Sequence, residues 1–488
     1  MTLFFISAAI LIVGYFTYGV LTDRIFKPDP NRTTPAYAMT DGVDYVPMNW
    51  PKIFLIQLLN IAGLGPIFGA LAGALWGPVA FLWIVFGCLF AGGVHDYLGG
   101  MLSIRNKGAS ISEITGFYLG PTMKNVMRVS SVILLVLVGT VFVTGPAKLL
   151  ASLTPAALDY NFWLVVILIY YFLATMLPID QLIGRIYPVF GLILLIMAVG
   201  IVGGLVVKGY RIPDFTLANL HPKNLPIWPL MFISIACGAI SGFHATQSPM
   251  MARCLKNERY GRRVFYGAMV AEGVIALIWA AAGMAFFHGT PGLAEALKDG
   301  GPGGVVNKVS ISLLGKVGGV LAILGVVICP ITSGDTAFRS ARLTVADWLR
   351  TDQQPILKRL YIALPLFAVG GVLSQMNFDI IWRYFAWANQ TLAMIVLWTC
   401  AVYLVRSNKT HWIATVPASF MTAVSVTYLL QAPEGFNLST CIAYPAGVIA
   451  AVALLGLFLG VIFKRNVGRP VDNRTVRQLD NQTVGRSD

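Results

Sequence analysis

Charged side chains are scarce in this chain: Asp, Glu, Lys and Arg make up 11% of its 488 residues, whereas 57% of the residues are hydrophobic. Soluble domains carry roughly 25% charged residues, so the composition excludes a soluble protein and indicates many membrane spans. The net charge of +14 does not indicate nucleic-acid binding, because the basic residues are dispersed between apolar runs. Membrane lipid is the expected surrounding partner.

Cysteine and catalytic motifs are also sparse. The six cysteines show no paired spacing, so they predict neither a disulfide framework nor a metal site. The sequence contains no nucleophile motif and no phosphate-binding glycine loop followed by Lys. We therefore expect no enzyme activity and no cofactor beyond a coupling ion.

Apolar segments long enough to cross a bilayer recur along the chain. They predict an all-α polytopic membrane protein with about 13 spans, numbered here in chain order. The predicted spans are 3–22, 53–76, 79–104, 128–150, 162–178, 185–207, 228–252, 264–287, 317–341, 359–375, 380–405, 412–430 and 441–463. Residues 1–22 lack basic residues before the apolar run, which predicts a first span rather than a cleaved signal.

The basic residues predict the orientation. Most of the 35 Lys and Arg residues follow odd-numbered spans or lie in the tail 464–488, and cytoplasmic segments are enriched in these residues. We expect the N-terminus outside a bacterial inner membrane and the C-terminal tail in the cytoplasm.

Span 2 contains a helix-breaking run, in which Gly63, Gly65 and Pro66 follow Ala62 within a few residues. Glycine and proline both disfavour a continuous helix. Non-helical backbone at membrane depth persists where it is buried in protein or lines a cavity. The run therefore predicts a discontinuous helix and a substrate site around these residues.

A second interruption is predicted in span 7, at Ser241 and Gly242. Spans 2 and 7 are five apart, an offset that reverses the direction of crossing, as in inverted repeats. The pattern resembles a LeuT-type 5+5 core. It implies a first repeat at 53–207, a second at 228–405, an extra N-terminal helix at 1–22 and two extra helices at 412–463.

A cation site is predicted between spans 2 and 9. The break frees carbonyl groups around Ala62, and Thr332 and Ser333 would supply neutral oxygens for a sodium ion. The alternative is that these hydroxyl groups bond back to their own helix.

Three carboxyl groups within spans are candidates for proton coupling: Asp96, Glu272 and Asp335. A charged carboxylate at membrane depth is costly, which suits a proton relay. Asp335 lies four residues before Arg339, so an internal ion pair is the alternative. His244 follows the second break and is predicted to bind a substrate carboxylate or carry a proton; the alternative is a buried histidine that only bonds to a neighbouring hydroxyl.

Span 11 places two side-chain amides, Asn389 and Gln390, beyond an aromatic belt. Buried amides need hydrogen-bond partners. We therefore include both residues in the predicted substrate site.

Several runs closely resemble the carbon starvation protein A (CstA) family of transporters, which are linked to peptide uptake and, in some members, to pyruvate. Many members carry paired histidines before the first Gly-Pro break, where this chain has Ile56 and Gln57. The matching runs are 40–47, 62–66, 94–97, 178–188, 241–244 and 330–342.

The resemblance and the paired breaks together imply a secondary active transporter. It would import short peptides or a small carboxylate such as pyruvate, coupled to protons or sodium, during carbon starvation. The alternative function is a channel for ions or solutes, which would show flux without coupling or saturation.

Overall fold

A computed structural model describes residues 1–42, 44–176, 179–351 and 355–464, with the side chains at 176–186, 316–317, 321–324 and 461–464 left undescribed. The predicted tail beyond residue 464 lies outside the described residues, as does part of the family-like run 178–188. Within the described ranges, the backbone is helical and forms no β-strand. One isolated bridge joins Met48 to Leu255.

Within the described ranges, each of the thirteen predicted spans overlaps at least one helix. Among the described residues, eleven helices are long and apolar enough to cross a membrane, and a bent pair counted as one span raises the number to 12. The fifth predicted segment is a shorter apolar helix. The elements, in chain order, are Thr2–Phe16 with Tyr18–Phe26, Trp50–Ile61 with Gly65–Trp76, Ala80–Arg105, Pro121–Leu153, Tyr160–Met176, Ile179–Val207, Leu230–Ile235 with Gly242–Ala252, Gly267–Phe286, Gly318–Leu349, Ile356–Leu373, Phe378–Arg406, Trp412–Gln431 and Thr440–Lys464.

The spans differ in the share of their apolar 18-residue stretch that is buried inside the protein. This share is 83% in each of spans 3, 7, 8 and 11, whereas it is 28%, 17% and 22% in spans 1, 10 and 13. A helix that is apolar all round is buried in protein or faces lipid. The first group therefore forms the interior of the bundle, and the second group presents apolar surface to lipid.

Span 9 is preceded by a glycine-rich helical segment. The helix that begins at Thr290 is interrupted at Gly301 and Gly315, where φ is 61° and 69°. Glycine adopts such left-handed conformations readily because it has no Cβ atom. These two turns separate the segment before span 9 from the span itself.

One end of the bundle is held together by the buried carboxylate of Glu258. This side chain accepts hydrogen bonds from the Asp29 backbone N–H at 2.7 Å and from Arg105 at 3.1 and 3.3 Å. Arg105 also donates to the hydroxyl oxygen of Tyr403 at 2.8 Å. The segment after span 1 is thereby tied to the ends of spans 3 and 11.

Candidate functional site

Span 2 is broken where the sequence predicts. The first helix ends at Ile61, the second begins at Gly65, and their axes are bent by 57°. Pro66 lies in the first turn of the second half, where its missing N–H leaves no helical bond unmade. Residues 62–64 therefore form the interruption.

Span 7 is also interrupted. Its first helix ends at Ile235, a single 3-10 turn covers Ala236–Gly238, and the second helix begins at Gly242. Ala236 has a φ of 32°, and a non-glycine residue held in such a region costs on the order of 1–3 kcal/mol. Strain of this kind is typical of functional sites rather than of helices that only fill space.

The two interruptions meet in the interior. A Cβ atom added at Gly65 would collide with the Cβ and Sγ atoms of Cys237, and one added at Gly69 would lie 2.9 Å from the carbonyl oxygen of Ser234. Glycine is therefore required by the close approach of the two chains.

Asn389 stabilises the second interruption from span 11. Its Oδ1 atom accepts hydrogen bonds from the Ser241 hydroxyl at 3.0 Å and from the Phe243 N–H at 2.8 Å. Gln390 donates from Nε2 to the carbonyl oxygen of Ile240 at 3.2 Å. Both amides thus support the break in span 7, and Gln390 Oε1 finds no partner among the described residues.

Four ionisable side chains from spans 3, 7 and 8 form a continuous buried chain. Nδ1 of His95 lies 2.7 Å from Oδ1 of Asp96, and Oδ2 of Asp96 lies 2.9 Å from Nδ1 of His244. On the other side of this ring, Nε2 of His244 lies 3.3 Å from Oε2 of Glu272, at ion-pair distance but without a hydrogen bond between them. All four residues are 0% exposed. We call them the acid–base chain.

The acid–base chain brings two carboxyl groups and two imidazoles together away from solvent, at or near the separations across which side chains pass protons. Each proton taken up changes the buried charge by one, and buried charge is tolerated only when it is compensated. Both ring nitrogens of His244 face carboxyl groups, and its role, in proton transfer or in substrate binding, stays a prediction.

At the predicted cation site, span 9 lies beside the break in span 2. The Cys329 thiol donates to the Ala62 carbonyl oxygen at 2.9 Å. The Ser333 hydroxyl, which has one proton to donate, lies 3.0 Å from both the Leu59 carbonyl oxygen of span 2 and the Cys329 carbonyl oxygen of its own helix. Thr332 Oγ1 bonds back to the same Cys329 carbonyl at 2.8 Å, as in the alternative. A hydrogen bond to a carbonyl oxygen uses one of its two lone pairs, so these contacts do not decide whether an ion also binds there. The ion site stays a prediction.

Asp335 lies one turn further along span 9. Its Oδ2 atom accepts a hydrogen bond from the Tyr187 hydroxyl at 2.7 Å, whereas its Oδ1 atom has no hydrogen-bond partner among the described residues. Arg339 donates to the carbonyl oxygen of Ala174. Asp335 is thus a further buried carboxyl group, outside the acid–base chain and supported from span 6.

Some of the buried polar atoms that lack partners lie near the breaks. Both amide atoms of Gln57 and of Asn60, and Oε1 of Gln247, find no hydrogen-bond partner in the described part of the chain. All three residues are 0% exposed. Leaving a buried polar group unpaired costs about 1–3 kcal/mol, so these amides are candidates for contact with a polar ligand or water.

The sequence prediction did not assign these amides to the site. The sequence prediction names Gln57 only as a departure from the family pattern. Asn60 and Gln247 lie within about one or two turns of a break. That proximity was the available signal, because polar side chains are rare in spans and lie at functional positions. The first half of span 2 packs against the second half of span 7, which places the amides on facing helices.

A small cleft of about 30 Å³ lies at the end of the bundle that carries Arg253 and Asp347. Thr246, two residues after His244, lines it, as does Ser340, whose Oγ accepts a hydrogen bond from Gln247 Nε2 at 3.5 Å. The cleft therefore reaches a residue that contacts the Gln247 side chain. Among the described residues, no three His, Cys, Asp or Glu side chains form a metal-binding group.

These features define a polytopic membrane protein with a buried polar site between two interrupted helices. The sequence model of the family described as "Carbon starvation protein CstA" matches residues 1–158 and 148–290. The chain belongs to this family.

Three relatives extend the comparison. An "Uncharacterized membrane protein" of Haemophilus influenzae is 46% identical over 349 residues, covering 61% of this chain and 94% of that protein. The "Peptide transporter CstA" of Escherichia coli is 25% identical, covering 86% and 79%. The "Pyruvate/proton symporter BtsT" of the same organism is 26% identical, covering 56% and 47%.

Solved structures show the same fold at low identity. The structure of MhsT in complex with L-phenylalanine aligns with a TM-score of 0.55 at 14% identity, covering 84% of this chain and 97% of that one. The inward-facing conformation of Mhp1 aligns with a TM-score of 0.52 at 16% identity, covering 88% and 94%. The predicted all-α, LeuT-like fold class is confirmed at this level.

Proposed function

We propose that this chain is a proton-coupled secondary transporter that imports a small carboxylate-bearing solute, either a short peptide or pyruvate, during carbon starvation. It would lie in a bacterial inner membrane with its N-terminus outside and its C-terminus in the cytoplasm. The relatives' names, a peptide transporter and a pyruvate/proton symporter, support the class of substrate.

The acid–base chain is the observation that carries the proposal. It connects His244, three residues after the break in span 7, with Asp96 on span 3 and Glu272 on span 8. A change in its protonation alters the contacts that hold three spans together. Proton uptake can therefore bias the arrangement of a broken helix, as coupling requires.

The unpaired amides supply the substrate contacts. Nε2 of Gln57 and Nδ2 of Asn60 are donors without partners in the described chain, and both suit a carboxylate oxygen. Neutral amides do not cancel the charge of the carboxylate, and an uncompensated charge in the interior is costly. A proton on the acid–base chain would offset that charge, so proton and substrate would bind cooperatively.

Sodium is the competing coupling ion. It would lie between the carbonyl of Ala62 and the side chains of Thr332 and Ser333. We favour protons because the Cys329 thiol on span 9 already donates a hydrogen bond to the carbonyl of Ala62, which a sodium ion would have to displace.

Uptake by purified protein in proteoliposomes tests the proposal. Labelled pyruvate and labelled dipeptides are each supplied under an imposed proton gradient, a sodium gradient or no gradient. We expect saturable accumulation of one substrate class under the proton gradient alone. Flux that neither saturates nor accumulates would instead show a channel, and accumulation driven by sodium alone would reject proton coupling.

A further inference from the structure

Three arginines cluster where spans 1, 2 and 8 come together: Arg259, Arg262 and Arg263. They lie on the short helical turns Glu258–Tyr260 and Arg262–Tyr266, which lead into span 8. Arg259 and Arg263 are exposed and Arg262 is half-buried. We call them the arginine cluster.

Aromatic rings hold these guanidinium groups in place. Arg263 lies over the ring of Trp50 at 5.0 Å and over that of Tyr260 at 5.6 Å, and these two rings stack at 6.2 Å. Arg259 lies 4.7 Å from the ring centre of Tyr260, and Arg262 lies 4.7 Å from that of Tyr15. A cation–π contact uses the face of the guanidinium and leaves the in-plane N–H donors directed outwards.

No ion pair within 4.0 Å joins the arginine cluster to an Asp or Glu oxygen in the described ranges. Glu258 is buried and bonded to Arg105, whereas Asp23 accepts a hydrogen bond from the Tyr97 hydroxyl at 2.6 Å and lies near enough to Arg262 for their charges to interact. Arg259 donates one hydrogen bond to the Tyr260 hydroxyl, and Arg262 donates one to the Tyr15 carbonyl oxygen at 3.5 Å. Each guanidinium has five donors, so the remaining donors of the cluster are available to an external anion.

The cluster also borders the lipid-facing surface. Phe16, next to the Tyr15 that contacts Arg262, is 65% exposed, and Ile12 and Val13 on the same span are 52% and 58% exposed. Trp and Tyr residues concentrate at the depth of the lipid head groups. An anion bound by the cluster would therefore have acyl chains lying along span 1.

From these contacts we propose that the arginine cluster binds the phosphate of an anionic phospholipid. Guanidinium groups bind phosphate oxygens through paired hydrogen bonds, and basic pockets between spans are suited to acidic head groups. The apolar surface of span 1 favours a lipid over a free phosphate ion or an acidic protein segment, because neither would cover that surface.

Native mass spectrometry of the detergent-purified protein tests this site. Phosphatidylglycerol or phosphatidylcholine is added, and the retained lipid is compared for the wild type and for Arg259→Gln with Arg263→Gln. We expect retention of phosphatidylglycerol by the wild type and roughly 10- to 30-fold weaker retention by the variant, since each basic residue near the surface contributes a few-fold to about tenfold. Excess inorganic phosphate should leave the retained lipid in place.

The matched control removes the same charge elsewhere. Arg211→Gln with Lys223→Gln, two exposed residues between spans 6 and 7, should retain phosphatidylglycerol like the wild type. Arg259→Lys with Arg263→Lys keeps the charge and should lose less lipid than the Gln variant, while size-exclusion profiles report folding. Three outcomes would each overturn the proposal. They are equal retention of both lipids by the wild type, unchanged retention of phosphatidylglycerol by the Gln variant, and displacement of the lipid by inorganic phosphate.

Discussion

Gly65 in the break of span 2 faces Cys237 in the break of span 7 so closely that the glycine has no room for a side chain. The contact joins two interruptions that lie far apart in sequence. Because each break exposes backbone groups that lipid cannot satisfy, packing one against the other buries both. The pair therefore defines the centre of the proposed transport site.

Gly65→Ala should disrupt this contact. Adding a methyl group to a packed interior costs about 1–3 kcal/mol, so we expect a lower unfolding temperature and reduced uptake. Adding Cys237→Gly, which removes the colliding atoms, should restore part of both. Gly203→Ala is the control, because a Cβ atom there meets nothing within 4 Å; equal effects at both glycines would contradict the close approach.

The amides that lack partners give a second prediction. Gln57→Met and Asn60→Leu remove buried polar groups that find no partner in the described chain. We therefore expect unchanged or raised thermal stability with substrate affinity weaker by roughly 10- to 100-fold, the loss of one or two hydrogen bonds to a charged group. The measurement is substrate binding and unfolding of the same purified samples.

Gln431→Met provides the comparison for that experiment. Gln431 is an amide at the end of span 12 whose Oε1 atom also lacks a partner among the described residues. It lies outside the proposed site, so affinity should not change. If Gln57→Met lowers stability and leaves affinity intact, the amide has a structural role only.

Labelling of introduced cysteines tests the orientation. Lys256→Cys and Lys358→Cys, each in a Cys441→Ser background, should resist a membrane-impermeant maleimide in intact cells and react after permeabilisation. Their basic surroundings predict a cytoplasmic position. The native Cys441, which is exposed whereas the other five cysteines are buried, should react from outside; labelling of Lys256→Cys in intact cells would reverse the topology.

Replacing sodium by potassium in a substrate-binding assay tests whether the coupling ion is sodium or a proton. We expect wild-type substrate affinity to change by less than about twofold, because sodium would have to displace the existing hydrogen bond from Cys329 to the carbonyl of Ala62. The comparison is repeated with Thr332→Ala and Ser333→Ala. A sodium-dependent rise in affinity that these substitutions remove would place the coupling ion between spans 2 and 9.

The spans and their interruptions were predictable because their causes are local. Apolar length marks a membrane helix, and Gly63, Gly65 and Pro66 mark a break, whatever the rest of the chain does. The face each helix turns inwards is harder to infer. In a bundle where both protein and lipid are apolar, hydrophobic periodicity no longer separates the inner face from the outer one.

The acid–base chain shows where the sequence prediction reached its limit. Asp96, His244 and Glu272 were each selected because ionisable residues are rare within spans. Their contact depends on how spans 3, 7 and 8 rotate against one another, which no local pattern encodes. His95 was not selected as a site residue, although it lies 2.7 Å from Asp96.

Glu272→Gln tests the central claim, that protons move through the acid–base chain. The substitution keeps the size and polarity of the side chain but removes its titrating carboxyl group. Glu295→Gln, an exposed acid in the segment before span 9, is the control and should behave like the wild type. The measurement is uptake of the labelled substrate by proteoliposomes under an inward proton gradient, compared with exchange of labelled for unlabelled substrate without a gradient. The account predicts that Glu272→Gln loses gradient-driven accumulation and retains exchange, whereas full gradient-driven accumulation by this variant would contradict it.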